Sequence, residues 1–189
     1  MNRIVHYGYG KTTMSEIASD CGMSAGNIYR FFASKIDIAE AMARKFNLEL
    51  YQTYAEIARE PIAAPDRLRK FFEYGLTHTF DAIQKDAKIL EVAEVLSDER
   101  PLFFNEGLAQ ERIYLNQILE DGIAAGTFAP MKDVNFASEM IQSALMKFRF
   151  PQLYSLLTLE KLKRELFGVI DILIAGLRHG VEFSGDLKR

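Results

Sequence analysis

The chain has 189 residues, 49% of them hydrophobic and 26% charged, and a formal net charge of −3. That composition belongs to a folded globular protein that buries roughly 70% of its unfolded surface, and it excludes wholesale disorder. The longest stretches free of Asp, Glu, Lys and Arg are ten residues, 122–131 and 150–159, about half of the ~20 that a membrane helix requires, so neither a span nor a membrane partner is expected.

The single cysteine, Cys21, cannot form an internal disulfide, and the first residues carry no secretory signal, which together point to a reducing cytoplasm. Charge is uneven along the chain. Residues 1–46 hold six Lys/Arg against four Asp/Glu, so this head is +2 and the remainder −5, as suits a nucleic-acid-contacting module on an acidic body.

Apolar residues recur at threes and fours nearly everywhere and no alternating run reads as a strand, so the predicted class is all-α. The first seven residues leave room for a helix of about one turn. Thr13-Met14-Ser15-Glu16 has the capping-box form and predicts a helix from Met14 to about Cys21, ended by Gly22. Ser24 caps a second short helix through Phe31, with Phe31 and Phe32 expected inside. Ser34 and Asp37 open a third, Lys35 to Ala58, with Ile36, Ala39, Ala43, Phe46, Leu50, Tyr54 and Ile57 on one stripe. Further helices are expected from Pro65 or Asp66 to about Gln84, from Ala87 to Leu96, and from Phe103 to Ala125. Two more follow, Val134 to Phe148 capped by Asp133 and Leu159 to His179 capped by Thr158 and ended by Gly180.

The last of these is apolar on every side from Leu166 to Leu177 except at Asp171, and the Val134 helix is nearly as broad. Either a thick core within the chain covers such helices or a second copy does; a symmetric four-helix bundle is the economical solution. Its expected interface is Met140, Ala144, Phe167, Ile170, Ile174 and Leu177, with Gly176 allowing close approach.

Two short helices joined across Gly22-Met23 have the helix-turn-helix layout, although short capped helices with a Gly turn also occur in plain bundles. In the second, Ser24-Ala25-Gly26-Asn27 combines small residues, which let the backbone approach a major groove, with groups that hydrogen-bond base edges. Tyr29, Arg30, Ser34 and Lys35 then fall where phosphates flank the groove.

The run Gly8-Tyr9-Gly10-Lys11-Thr12-Thr13-Met14-Ser15-Glu16-Ile17-Ala18, continued by Ala25-Gly26-Asn27-Ile28-Tyr29-Arg30-Phe31-Phe32 and Ser34-Lys35, resembles the amino-terminal domain of the TetR family of bacterial transcriptional regulators. The segment 120–128 resembles, less specifically, a helix end in the family's carboxy-terminal half. The resemblance implies a helix-turn-helix DNA-binding domain over residues 1–46, its first helix shorter than the family's, and a helical effector-binding and dimerisation domain over 47–189. It implies that Thr13, Tyr29 and Lys35 meet phosphates and that Ser24, Ala25, Gly26 and Asn27 face bases. Arg30 stands where the family often has an aromatic or His beside the backbone.

The function so implied is a homodimeric regulator, a repressor that a small-molecule effector releases from double-stranded operator DNA. The alternative is a helical ligand-binding and dimerisation module with a vestigial head. Among the body's many aromatics, Phe71, Tyr74, His78 and Phe104 are the expected effector contacts. Gly10-Lys11-Thr12 lacks the upstream Gly of a phosphate loop, the three histidines lie far apart without ligand or triad spacing, and Cys21 reads as a small buried thiol. No catalytic residue, metal or cofactor is expected.

Overall fold

Local capping sets most element boundaries. In the computed structural model, which describes residues 2–154 and 156–180, the described residues form nine α-helices and no strand. The head contains α1 (Asn2–Tyr7), α2 (Met14–Asp20) and α3 (Ala25–Ile28), followed by the long α4 (Lys35–Ala58). Then come α5 (Ala64–Lys85), α6 (Ile89–Glu99), α7 (Leu102–Ala124) and α8 (Val134–Ala144). Two 3-10 turns, Met146–Phe148 and Pro151–Leu153, precede α9 (Leu159–His179).

The caps read from the sequence are made. Thr13 accepts from the Glu16 N–H at 3.3 Å while the Thr13 N–H donates to the Glu16 carboxylate at 2.9 Å. Ser24, Asp133 and Thr158 accept from Asn27, Phe136 and Lys161 in the same way, each such bond stabilising its helix by about 1 kcal/mol.

Two helices end earlier than expected. α3 stops at Ile28 because the chain tightens into turns, Arg30 N–H to Asn27 O and Phe31 N–H to Ile28 O, which turn Phe32 onto the core and leave Phe31 66% exposed. α8 stops at Ala144, since Pro151 drives Phe150 into an extended conformation (ψ 109°) and the approach to it is taken up by 3-10 turns. Cys21, expected inside, is exposed at the end of α2.

The chain packs as two compact units. The first comprises the described parts of Met1–Gln52 and His78–Gly107, the second those of Thr53–Thr77 and Leu108–Arg189. The first is wider than residues 1–46 because the head does not close its own core. α1 supplies one fully buried residue, Ile4, which joins Met14, Ile17, Ala18, Ile28, Ile36, Ile38 and Ala39; Val92 and Leu96 of α6 and Phe103 of α7 complete the cluster. In the second unit Phe71, Leu115, Ile118, Leu119, Leu162, Leu166 and Ile170 are buried. There the Arg67 guanidinium ties the end of α4 to α7 through Ala58 O (2.6 Å) and Asp121 (2.7 Å). Glu111, 2% exposed, accepts from Gln142 and forms an ion pair with Arg149.

Candidate nucleic-acid interface, effector site and dimer face

The corner between α2 and α3 is a Schellman turn. Gly22 adopts φ +65°, its N–H donates to Ser19 O at 3.0 Å, and the Met23 N–H donates to Ala18 O at 2.8 Å, closing the open carbonyls of α2. α3 is anchored by buried Ile28 and presents Ser24, Ala25 and Gly26 to solvent, with Asn27 half-buried. A Cβ placed on Gly26 would meet nothing within 4 Å. The fold therefore has no steric need for glycine there, although glycine costs a helix about 1 kcal/mol relative to Ala. That pattern suits a backbone kept bare for something outside the chain.

Past α3, Tyr29, Arg30 and Phe31 form a continuous exposed lip. Thr13 is less available, because its hydroxyl donates to Glu16 at 2.8 Å as well as capping α2; these bonds with Thr13 also hold the Glu16 carboxyl below its usual range. Lys35 differs most from the sequence expectation. Its ammonium turns inward, donating to Tyr9 O at 2.7 Å and Thr12 O at 2.9 Å and lying 4.1 Å from the centre of the Tyr9 ring. Two of its three donors thus hold the α1–α2 loop. Arg3 is bound to Asp20 (2.7 Å) and Glu16 (3.4 Å), and Arg44 to Glu40 and Glu106. Among the head's described cations Lys11, Arg30 and Lys45 are exposed and make neither an ion pair nor a carbonyl contact.

The four expected effector residues divide between the units. Phe71 and Tyr74 come together in the second, where Phe71 stacks on Tyr54 with centroids 3.7 Å apart and Tyr74 meets Tyr54 edge-on at 6.2 Å. Tyr114 is 6.4 Å from the same ring. Tyr54 and Tyr114 join this ring cluster although their helical spacing is that of ordinary core. His78 and Phe104 belong to the first unit. His78 lies 4.5 Å from the Phe46 ring, and burial pushes its imidazole below the usual range. Phe104 packs on the head core beside Phe103.

The expected dimer residues also divide. Met140 and Ala144 are exposed on α8 and Phe167 is half-buried on α9. Ile170, Ile174 and Leu177 are instead buried within the protomer, correcting their assignment to the interface. They continue the face of Leu162 and Leu166 at spacings of four, four and three, which one helix side must share. The outward apolar side of α9 is Gly168, Ile172 and Ala175, with Ile172 73% exposed. Among the described residues no three His, Cys, Asp or Glu side chains gather as a metal site requires, and no helix is long and apolar enough to cross a membrane.

Comparison with known proteins covers both parts of the chain. The family model for bacterial regulatory proteins, tetR family, matches residues 2–42, and that for the tetracyclin repressor-like C-terminal domain matches residues 64–170. The HTH-type transcriptional repressor KstR2 of Mycobacterium tuberculosis (strain ATCC 25618 / H37Rv) is 27% identical over 140 residues, 71% of this chain and 68% of its own. A transcriptional regulator from Cytophaga hutchinsonii ATCC 33406 shares the fold with a TM-score of 0.70 at 24% identity, over 94% of this chain and 93% of its own. The fatty acid degradation regulator FadR from Bacillus halodurans does so with a TM-score of 0.67 at 23% identity, over 95% and 92%.

Proposed function

The chain belongs to the tetR family of bacterial regulatory proteins, and we propose that it acts as a homodimeric repressor which a small molecule releases from operator DNA. The observation that carries this reading is the exposed, sterically unconstrained first turn of α3, seated on buried Ile28 and flanked by the lip Tyr29-Arg30-Phe31. Ser24, Ala25, Gly26 and Asn27 enter the major groove, while Thr13, Tyr29 and Arg30 flank it at phosphates. Lys35 contributes its charge from behind the Tyr9 carbonyl. A vestigial head fits less well, because Val92, Leu96 and Phe103 complete the core that the short α1 leaves open. The reading assigns no catalytic step, metal or cofactor and places the protein in the cytoplasm.

Two heads on one duplex require half-sites about 34–36 Å apart or a multiple of that. The dimer that spaces them pairs α8 and α9 with their copies through Met140, Ala144, Gly168, Ile172 and Ala175. The effector is an apolar molecule that lodges against the ring cluster of Tyr54, Phe71, Tyr74 and Tyr114. Since α4 carries both Tyr54 and Asp37, the residue that caps it beside α3, a ligand that displaces Tyr54 acts on the helix that seats the reader. Emptying an operator almost fully requires a preference for the non-binding state of about 5.5 kcal/mol, and DNA then weakens effector binding by the same factor.

Asn27→Ala tests base reading directly. On a duplex enriched by the wild type from a random pool it is expected to cost about 1–3 kcal/mol, and on unrelated DNA almost nothing. Equal losses on both duplexes, measured by fluorescence anisotropy, would reduce Asn27 to a backbone contact.

A further inference from the structure

The loop joining α1 to α2 is gripped from two sides. The Tyr9 N–H donates to Glu91 Oε2 of α6 at 3.0 Å, and the Tyr9 carbonyl accepts from Lys35 of α4 at 2.7 Å. Gly8 makes room for this contact: at φ +96°, a Cβ on it would lie 2.4 Å from the same Glu91 oxygen. The other Glu91 oxygen is held by Lys88 at 2.6 Å. Just beyond the far end of α6, Arg100 binds Asp37 at 2.8 Å and Glu40 at 3.2 Å, and Asp37 accepts from both the Ser34 N–H and the Ser34 hydroxyl at 2.9 Å. Both flanks of the helix-turn-helix, the turn before Thr13 and the cap after α3, are thus bound to the α6 segment.

We propose that Glu91 is a positioning residue for DNA binding, fixing the Gly8–Thr13 turn through the Tyr9 N–H and so presenting Lys11, Thr13 and the start of α2 to the phosphate backbone. The proposal rests on the operator-binding reading and assigns a role to a residue 82 positions away from the turn it holds. It carries a distinctive sign. A carboxylate beside a phosphate-binding turn repels DNA, so a Glu that were merely a surface charge would weaken binding, and removing it would tighten the complex. A Glu that holds the turn has the opposite effect once its acceptor is lost.

Glu91→Gln and Glu91→Met separate the two roles, because both remove the charge at similar length and only the amide still accepts from Tyr9. On the enriched duplex, at a temperature well below the melting of every variant, Glu91→Met is expected to bind about tenfold more weakly than Glu91→Gln, which matches or exceeds the wild type. The salt slope of Glu91→Gln should match that of the wild type, and that of Glu91→Met should be shallower, since Lys11 is no longer held at the phosphates. Amide exchange at Tyr9, measured without DNA, should be about tenfold faster in Glu91→Met than in Glu91→Gln. If Glu91→Met does not fold, Glu91→Ala takes its place with the same expectation. Equal affinities for the Met and Gln variants, or equal Tyr9 exchange, would overturn the proposal while leaving the operator reading intact. A wild-type chain that enriches no duplex would overturn the operator reading and, with it, the DNA-binding role of Glu91; the exchange experiment would still decide whether Glu91 holds the turn.

Discussion

Ile172→Asp is expected to convert the protein from a dimer into folded 21.5 kDa monomers that no longer hold an operator. Ile172 is 73% exposed on α9, between Gly168 and Ala175 and on the side away from the protomer's own core. In a two-fold interface the substitution acts twice and sets two carboxylates into apolar contact. Several kcal/mol are lost in this way, and about 4 kcal/mol already weakens dimerisation a thousandfold. The helix itself tolerates the change, because position 172 lies largely in solvent on the protomer, so circular dichroism should be nearly unchanged. Ile174→Asp, only two residues on, should behave differently. Ile174 is 2% exposed, and an unpaired carboxylate there unfolds the protomer rather than parting two copies. Sedimentation of the two variants side by side therefore distinguishes the outer face of α9 from the inner one. An Ile172→Asp protein that remains dimeric would place the interface elsewhere.

Arg149→Leu is expected to cost about 3–5 kcal/mol of stability, the usual loss when one partner of a buried ion pair is removed. Glu111 is 2% exposed on α7, and its remaining partner would be Gln142, which donates to it at 3.2 Å and to Leu108 O at 3.0 Å. Burial already raises the Glu111 carboxyl above its ordinary range, with Arg149 the strongest influence in the opposite direction. Removing the guanidinium raises it further. A carboxyl raised in the folded state binds its proton more tightly there than in the unfolded chain. Its contribution is greatest below the unfolded value of about 4.3 and is lost as pH rises through the folded value. The urea midpoint of Arg149→Leu should thus fall as pH rises above about 4.3, and the wild type should show the same trend more weakly. Adding Glu111→Gln should recover much of the loss and flatten the pH dependence. A pH-independent midpoint for Arg149→Leu would mean that Glu111 finds water or another cation when Arg149 is gone.

What the sequence made legible follows from the range of each interaction. Thr13, Ser24, Asp133 and Thr158 cap helices through contacts three residues away, and those four starts were readable, as were both limits of α4 and α9. The end of α3 was not, because the sorting of Phe31 outward and Phe32 inward depends on the core they meet. The two sides of α9 were equally illegible. Ile170, Ile174 and Leu177 are as apolar as Ile172, and a helix apolar all round does not say which side faces its own chain. Lys35 and Glu91 show the same limit for charge. Nothing near position 35 marks its ammonium as a clamp on Tyr9 O, and the carboxylate that completes the grip on Tyr9 lies in a helix that sequence spacing does not connect to the head.

Two heads with few unpaired cations are expected to recognise one DNA site, and a salt titration of wild-type protein on its enriched duplex measures that recognition. Lys11, Arg30 and Lys45 of each head are exposed without an ion pair, which gives about six direct phosphate contacts in a dimer and a slope of log K against log salt near −5. The expected result is two protomers per duplex, a slope between about −3 and −5, and binding at least a thousandfold tighter than to unrelated DNA. One protomer per duplex, or equal affinity for both duplexes with no dependence on salt, would contradict it.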